Sequence, residues 1–360
     1  MQFGLFTLFD FFPDRQTEVA YYKDTVEFMI YAEQLGFDSV WVGEEHFYSF
    51  GICPSPQLFL TAVAQATTRL RLGTALSVLP LENPLRKAED FAMLDILSGG
   101  RLIFGVGRGA YPKHFAGFHV PWLENRQRYE EALAIIQQAW TQGRFSYEGQ
   151  FWQIPELSVS PRPVQKPHPP IYRGIASPEA FEIAGIKGHG ALLVPWLTPE
   201  KILTQGLETY RAALRAHGHT PLPTVAVQFL FIDDNYHVAL ADAREAAGRY
   251  ARMVASAIPA EIVTSLPPTD ALRTLQERLV SLVDHIEERA IIGTPQDCRR
   301  RIVELREAYG IEHMPFYFHA GARDLRRARR GLELFAREVM PEFQGIPLGA
   351  GLDALVGTLR

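Results

Sequence analysis

Short apolar runs alternate with segments of helical spacing along most of the chain. Residues 2–8 form the first apolar run, and residues 23–35 then show the three- and four-residue spacing of a helix that ends at Gly36. The same alternation continues downstream. Predicted strands cover residues 38–42, 69–79, 101–106, 171–175, 189–194, 224–232, 291–292 and 313–318, and predicted helices cover residues 57–67, 84–97, 124–142, 178–186, 199–217 and 295–309.

This alternation predicts the architecture of the chain. Parallel strands need a crossover connection, so strands separated by helices indicate a parallel sheet. About eight such units in one chain favour a closed barrel over an open sheet. We therefore predict an α/β fold, a (β/α)8 TIM barrel, in one domain that spans residues 1–360.

Two stretches interrupt the alternation and are interpreted as insertions in the barrel. Residues 145–170 are rich in proline and aromatic side chains, which predicts an ordered extended insertion after the fourth strand–helix unit. Residues 236–288 carry long helical patterns and predict a helical insertion after the seventh strand. The chain shows no internal repeat or low-complexity linker, so both insertions are assigned to the same domain.

Composition narrows the range of partners and locations. The net charge of -5 gives no reason to expect nucleic acid or an anionic membrane as a partner. No apolar run reaches the roughly 18 residues of a membrane helix, and the apolar N-terminus lacks the basic region of a signal peptide. Cys53 and Cys298 lie far apart and have no metal-ligand spacing. We expect a soluble cytoplasmic protein without a metal.

The sequence VWVGEEHF places ionisable groups at the end of the second predicted strand. In a parallel barrel, the groups of the active site come from the C-terminal ends of the strands. Successive strand residues point to opposite faces, so we expect Glu44 and His46 to project together and Glu45 to project apart. A histidine in a cleft can transfer protons near neutral pH, although such a group can also cap a helix or pair with an arginine.

Two later turns could hold a phosphate. The turn GVGRG follows the fourth predicted strand, where glycines such as Gly107 let the backbone approach a ligand and Arg108 offers a guanidinium group. Ser177 precedes Pro178 and can cap the next helix, whose first amides form an anion site. Each turn also has a purely structural explanation. Together, Arg108 and Ser177 could bind one phosphate.

Aromatic residues also gather at the end of the first strand, and several common catalytic classes lack their motifs. Phe6 belongs to this aromatic group, which suggests the mouth of an apolar pocket. No metal-binding H-x-x-x-H pattern, nucleophile elbow or Walker motif occurs in the sequence. Metal hydrolase, serine esterase and phosphotransferase are therefore weak interpretations.

Several ordered blocks of the chain resemble the bacterial-luciferase-like, flavin-dependent monooxygenases. The blocks are MQFGLF, AEQLGFDSVWVGEEHFYSFG, LRLGTALSVLPLENPLRKAEDFAMLDILSGGRLIFGVGRGAYPKHF, PPIYRGIASPEAFEIA and AIIGTPQDC. The resemblance to the luciferase α chain covers roughly the first two hundred residues. It implies a (β/α)8 barrel that binds reduced FMN delivered by a separate NAD(P)H:flavin reductase. It also implies that O2 adds to give a flavin 4a-hydroperoxide, which oxygenates an aldehyde, ketone or similar small organic substrate.

The resemblance assigns cofactor contacts to individual positions. Phe6 and the turn Ala75-Leu76 match residues beside the isoalloxazine ring, and that turn often contains a cis peptide in the family. Trp196 matches an aromatic residue on the far side of the flavin, and Tyr111 matches a residue near the ring edge.

Other positions depart from the luciferase pattern. Gly107 stands where luciferase has a reactive cysteine. Ala176 and Ala180 stand where luciferase has glutamate and threonine in the phosphate turn. The family's phosphate site maps onto Arg108 and the turn at Ser177, so Arg108 and main-chain amides carry more of the expected phosphate binding.

The largest departure lies in the motif at the end of the second strand. Luciferase reads Glu-His-His-Phe there, and its first histidine is the key catalytic residue. Glu45 occupies that position in this chain, while His46, the second histidine, is retained. A carboxyl group ionises near pH 4 unless it is buried, so an exposed Glu45 could serve as a base but would be a poor proton donor. We predict a non-luminescent monooxygenase in which His46 and Glu45 are the catalytic residues.

Three alternatives remain open at this point. A deazaflavin-dependent dehydrogenase of the same superfamily would abstract hydride without oxygen. A flavin-binding protein without turnover is a second possibility, and a barrel lyase or isomerase that uses phosphate without flavin is a third. The usual assembly of the family implies a homodimer along the early helices. The sequence does not identify the organic substrate.

Overall fold

The computed structural model describes residues 1–47, 51–255, 263–264, 271–318, 320–322 and 324–343. Its strands are β1 (Gln2–Thr7), β2 (Ser39–Val42), β3 (Arg71–Thr74), β4 (Ser77–Val78), β5 (Leu102–Gly107), β6 (Phe145–Glu148), β7 (Gln153–Leu157), β8 (Ile171–Gly174), β9 (Gly190–Leu193), β10 (Val225–Ala226), β11 (Gln228–Ile232), β12 (Ile291–Gly293) and β13 (His313–Tyr317).

The helices surround these strands. They are α1 (Glu18–Gln34), α2 (Pro56–Ala66), α3 (Pro84–Leu97), α4 (Pro112–Gly117), α5 (Asn125–Thr141), α6 (Pro178–Lys187), α7 (Glu200–Ala216), α8 (Tyr236–Ala255), α9 (Ala271–Val280), α10 (Ile286–Arg289), α11 (Pro295–Tyr309) and α12 (Leu325–Glu338).

The parallel strands close into an eight-stranded barrel, which confirms the predicted TIM barrel. The eight positions of the ring are taken in order by β1, β2, β3, β5, β8, β9, the consecutive strands β10 and β11 together, and β13. The ring closes because β1 pairs with both β2 and β13. Strand β12 pairs only with β11 among the described residues. All paired strands of the ring are parallel, so their C-terminal ends share one rim.

Local sequence signals explain where several helices start. Asn83 accepts a hydrogen bond from the amide of Leu85 and is followed by a proline in the first turn of α3. Thr294 and Asp297 form a reciprocal capping box at the start of α11. Thr17 caps α1, so this helix begins earlier than the predicted residue 23.

The interruptions differ in detail from their predicted form. The extended insertion is an antiparallel hairpin of β6 and β7, and the helical insertion contains α8, α9 and α10. The predicted strand over residues 69–79 is broken into β3 and β4, and the cis peptide bond between Ala75 and Leu76 lies between them. The short helix α4 was not predicted.

The apolar core has two layers separated by the barrel wall. Alternation along β1 places Phe3 and Leu5 in the layer under the helices, whereas Phe6 points into the barrel with Trp41 and Tyr317. Burying one such side chain contributes about 1.5–3 kcal/mol. The two layers fix the strands, and the strands hold the loops of the C-terminal rim in place.

Candidate active site

A cavity of about 290 Å³ opens at the C-terminal rim of the barrel. Nine of the residues predicted from the sequence line it: Phe6, Glu45, Ala75, Leu76, Gly107, Arg108, Tyr111, Ala176 and Trp196. The barrel strands thus bring together residues from six separate segments of the chain. Such a rim is where barrel enzymes place their active sites.

A smaller cavity of about 90 Å³ adjoins the first one. Both cavities are lined by Gly107, Arg108, Gly174 and Ala176, so the two spaces meet along these residues. Ser177 lines the smaller cavity and lies outside the lining of the larger one. It occupies the cap position of α6, but its side chain makes no capping hydrogen bond, contrary to the predicted cap.

The smaller cavity contains arginines that the sequence analysis did not single out. Arg173 on β8 is buried and forms a double contact with Glu130, with Nη1 to Oε1 at 2.5 Å and Nη2 to Oε2 at 2.9 Å. Its Nε donates to Nδ1 of His189 at 2.9 Å. Arg126 pairs with Glu179 at the same cavity. Arginine side chains beside the N-terminus of a helix favour the binding of an anion.

The side chain of Leu76 projects into the cavity next to the cis peptide between Ala75 and Leu76. A Cβ atom at Gly107 or at Gly174 would overlap Cδ1 of Leu76. These two glycines therefore make room for Leu76 between the barrel strands. A cysteine at position 107, as in luciferase, would require Leu76 to move.

Glu44 is the centre of a buried polar network beneath the cavity. Its Oε2 accepts hydrogen bonds from Nζ of Lys87 at 2.9 Å, from Oγ of Ser77 at 3.0 Å and from the amide of Val78 at 3.1 Å. Nζ of Lys87 also lies 3.2 Å from Oε2 of Glu82. The network joins the end of β2 to β4 and α3, and so fixes the position of the adjoining Glu45.

The negative charge of Glu44 is balanced by a positive charge inside this network. Burial alone would raise the pKa of Glu44, but the positive charge of Lys87 and hydrogen bonds from His46 and Lys87 outweigh it and lower the pKa to about 2. Burial would lower the pKa of Lys87, and the two carboxylates, Glu44 and Glu82, raise it instead. Both groups are therefore charged at neutral pH and balance each other.

His46 is buried beside this network and does not line either cavity. Its Nε2 lies 3.1 Å from Oε1 of Glu44, which confirms that Glu44 and His46 project together. Its ring packs edge-on against Phe118 with a centroid distance of 4.8 Å. The backbone amide of His46 donates to Nε2 of His114 at 3.3 Å. The side chain of His46 therefore affects the cavity only through the residues that it contacts.

Glu45 points away from Glu44 and lines the cavity. Its side chain is only 6% exposed, and Oε2 makes no hydrogen bond among the described residues. Burial first, and then the negative charges of Asp10 and Glu44, raise the pKa of Glu45 well above its ordinary value. The raised pKa favours the protonated carboxylic acid, so Glu45 is a better proton donor than an exposed carboxylate would be.

His114 on α4 lies beside Glu45 and was not predicted from the sequence. Its Nε2 lies 3.4 Å from Oε2 of Glu45. Because Nε2 accepts a hydrogen bond from the amide of His46, it carries no proton. Burial, and next the charge of His46, lower the pKa of His114 to about 3. His114 therefore faces Glu45 without a charge.

Asp10 is a second buried acid behind Glu45. It accepts hydrogen bonds from the hydroxyl of Tyr317 and from the amide of Gly321. Burial raises its pKa to about 7, and the hydrogen bonds only partly oppose this effect. Ionisation of Asp10 adds negative charge near Glu45 and favours the protonated form of Glu45 further.

The chain matches a family model across residues 1–313, and the model describes the luciferase-like monooxygenases. This chain belongs to that family. The recognition made from the sequence blocks is therefore confirmed, and so is the assignment as an oxidoreductase of the flavin-dependent monooxygenase type. The barrel with its rim cavity fits this family.

Individual relatives make the family likeness more specific. The oxygenase component of the flavin-dependent trigonelline monooxygenase of Acinetobacter baylyi is 28% identical over 348 residues, which cover 95% of this chain and 96% of that protein. The crystal structure of the monooxygenase RslO1 from Streptomyces bottropensis is 28% identical with a TM-score of 0.83, covering 95% of this chain and all of that one.

Relatives with another cofactor also match. The F420-dependent glucose-6-phosphate dehydrogenase of Amycolatopsis mediterranei is 26% identical over 337 residues, covering 90% of this chain and 95% of that protein. Membership of the superfamily alone therefore does not choose between FMN and a deazaflavin.

None of the described helices is long and apolar enough to span a membrane. Within the same residues, no group of three or more histidine, cysteine, aspartate or glutamate side chains is arranged to hold a metal ion.

Proposed function

We propose that this protein is the oxygenase of a two-component monooxygenase, which takes reduced FMN from a separate NAD(P)H:flavin reductase and uses O2 to oxygenate a small organic substrate. The observation that carries the proposal is the pair of joined cavities at the rim of the barrel. A broad apolar space that continues into a small basic one matches the shape of FMN, a flat ring system that ends in a phosphate.

The residues of the larger cavity fit an isoalloxazine ring. Phe6, Leu76 and Trp196 offer apolar and aromatic surface, and Nε1 of the buried Trp196 has no hydrogen-bond partner among the described residues. A flavin ring supplies both a flat apolar face and acceptor atoms for such a donor. When bound, the reduced flavin supplies the electrons and the site at which oxygen is activated.

The smaller cavity favours FMN over F420. It encloses about 90 Å³ and is bordered by the ion pairs of Arg173 with Glu130 and of Arg126 with Glu179. A terminal phosphate fits beside Arg108 and Ser177. F420 continues beyond its phosphate into a longer tail, for which a space of about 90 Å³ leaves little room.

The side chains near the reaction centre have separate roles. Glu45 holds a proton at the cavity wall and donates it to the developing oxygen anion of the reaction. His114 faces Glu45 without a charge of its own, and the network of Glu44 and Lys87 fixes the loop that carries both Glu45 and His46. We therefore propose Glu45 as the catalytic acid and His46 as a positioning residue.

A homodimer and a cytoplasmic location complete the proposal. Exposed apolar side chains on the early helices α2 and α3, including Leu58, Met93 and Leu97, support a contact with a second copy of the chain. Cys53 and Cys298 are buried free thiols, which fits a reducing compartment. Sedimentation velocity should give twice the monomer mass of 40.6 kDa.

The choice of cofactor can be tested by turnover under air with two reduced cofactors. We expect consumption of reduced FMN that depends on the protein and on substrate, and no substrate oxidation with reduced F420. Anaerobic oxidation of a substrate with oxidised F420 would instead establish the dehydrogenase alternative.

Arg108→Ala is expected to weaken FMN binding by roughly 10- to 100-fold, because it removes a charge-assisted contact worth about 1.5–3 kcal/mol. Riboflavin lacks the phosphate and provides the matched control ligand. The wild type should prefer FMN to riboflavin, and the variant should bind riboflavin as the wild type does. Equilibrium titration measures all four affinities. Equal losses for both ligands would place the phosphate elsewhere.

A further inference from the structure

Three buried polar atoms at the main cavity lack a hydrogen bond among the described residues. They are Oε2 of Glu45, Nε1 of Trp122 and Nε1 of Trp196. Leaving a buried donor or acceptor unsatisfied costs about 1–3 kcal/mol. Atoms of this kind, gathered around one cavity, mark the places where a ligand makes the hydrogen bonds that the protein does not.

Two of these atoms belong to one wall of the cavity. Glu45 faces His114 of α4, and Trp122 follows α4 in the chain and packs against the cluster of Val78 and Phe115. Trp196 comes from the loop after β9 and packs on Phe229 with a centroid distance of 4.3 Å. Glu45 and Trp122 are thus linked through α4, whereas Trp196 is linked to β11, and Trp122 also packs against the cluster that contains Trp196.

The polar groups at this wall are hydrogen-bond donors rather than charged groups. An indole N–H can only donate, and a protonated carboxyl donates as well. The ionisable side chains that line the cavity are Glu44, Glu45, Arg108, His114, Tyr111 and Tyr250. Glu44 is matched by Lys87, and Arg108 is shared with the small phosphate cavity. A charged substrate would meet no opposite charge at this wall, and a buried unpaired charge is costly.

The geometry points to a substrate subsite formed by Glu45 and Trp122, which binds the acceptor oxygen of an uncharged and otherwise apolar molecule. The rest of the wall supports this, since Leu8, Val194, Leu197 and Leu275 surround the cavity. The inference rests on the proposed function, because the flavin phosphate is assigned to the small cavity and the flavin ring to the side of Trp196.

Calorimetric titration with three planar probes of matched shape tests the subsite. Acetophenone presents an uncharged carbonyl, benzoate an anion and benzamidinium a cation. With the protein saturated with oxidised FMN, we expect acetophenone to bind at least tenfold more tightly than either charged probe. Equal or tighter binding of benzoate or benzamidinium, or no binding of acetophenone, would overturn the inference.

Two substitutions test the donors themselves. Trp122→Phe keeps the aromatic packing and removes the N–H, and Glu45→Met keeps the length of the side chain and removes the O–H. Each should weaken acetophenone roughly 5- to 20-fold. Trp152→Phe serves as the matched control, because Trp152 lies on the hairpin of β6 and β7 and does not line the cavity.

Measuring the affinity for FMN tests the subsite and the proposed function separately. Trp122→Phe should leave the FMN affinity unchanged while the acetophenone affinity falls. An equal loss for both ligands would assign the donors to the flavin and overturn the subsite. A wild-type protein that selects acetophenone but does not bind FMN would contradict the proposed function and leave the subsite intact.

Discussion

Glu45→Gln is expected to lower kcat by roughly 100-fold or more, within the range typical for loss of a general acid. The amide of glutamine keeps the size and a hydrogen-bond donor but cannot give up a proton. Binding of FMN and of substrate should therefore change little, so the loss falls on kcat rather than on KM. Steady-state turnover with reduced FMN measures both constants.

The pH profile distinguishes proton donation from a structural role of Glu45. The pKa of Glu45 is raised by burial and by Asp10 and Glu44, so the protonated acid persists to higher pH than usual and is lost as the pH rises through that raised pKa. The wild type should lose activity on the alkaline side, and Glu45→Gln should show a flat profile there. Full activity in Glu45→Gln would rule out the assigned role.

His46→Gln provides the matched control for this prediction. His46 lies next to Glu45 in the chain and is equally buried, but its side chain contacts Glu44 and does not line the cavity. We expect less than a tenfold loss of kcat and an unchanged alkaline limb. A loss larger than that of Glu45→Gln would restore His46 as the catalytic residue predicted from the sequence.

Lys87→Met is expected to reduce the free energy of unfolding by about 3–5 kcal/mol, the usual cost of breaking a buried ion pair from one side. Lys87 is fully buried, and its removal leaves the carboxylate of Glu44 without its countercharge. Denaturant unfolding followed by circular dichroism measures the change. Arg86→Met, on the exposed face of the same helix, should cost less than about 1 kcal/mol.

The double variant Glu44→Gln with Lys87→Met completes the test. It removes both charges, so much of the lost stability should return. The pKa of Glu44 is lowered from 4.5 to about 2, so its stabilising contribution is present above pH 4.5 and is lost as the pH falls towards 2. This acid sensitivity should disappear in the double variant. A double variant as unstable as Lys87→Met would contradict the ion-pair account.

The barrel could be predicted because its determinants are local. Apolar runs of strand length between helical patterns gave each barrel strand, and glycine or proline signals gave most helix ends. The site loops followed, since residues such as Phe6, Arg108 and Trp196 sit directly at strand ends and must meet at one rim. Alternation along the strand also gave the shared direction of Glu44 and His46.

The remaining features depend on contacts between residues far apart in the sequence. Lys87 lies inside an ordinary helical pattern, and only the three-dimensional structure shows that it meets Glu44. His114 and Trp122 reach the cavity through the unpredicted helix α4 and the turn after it. The protonation of Glu45 follows from burial and from neighbours such as Asp10, which no local pattern reveals.

Incorporation of labelled oxygen tests the central claim most directly. The purified protein, saturated with reduced FMN, is mixed with 18O2 and a panel of uncharged ketones and aldehydes, and the products are analysed by mass spectrometry. The account predicts a product that carries one 18O atom and forms only with protein present. An oxidised product whose new oxygen comes from water, or no product from any panel member while FMN stays bound, would contradict it.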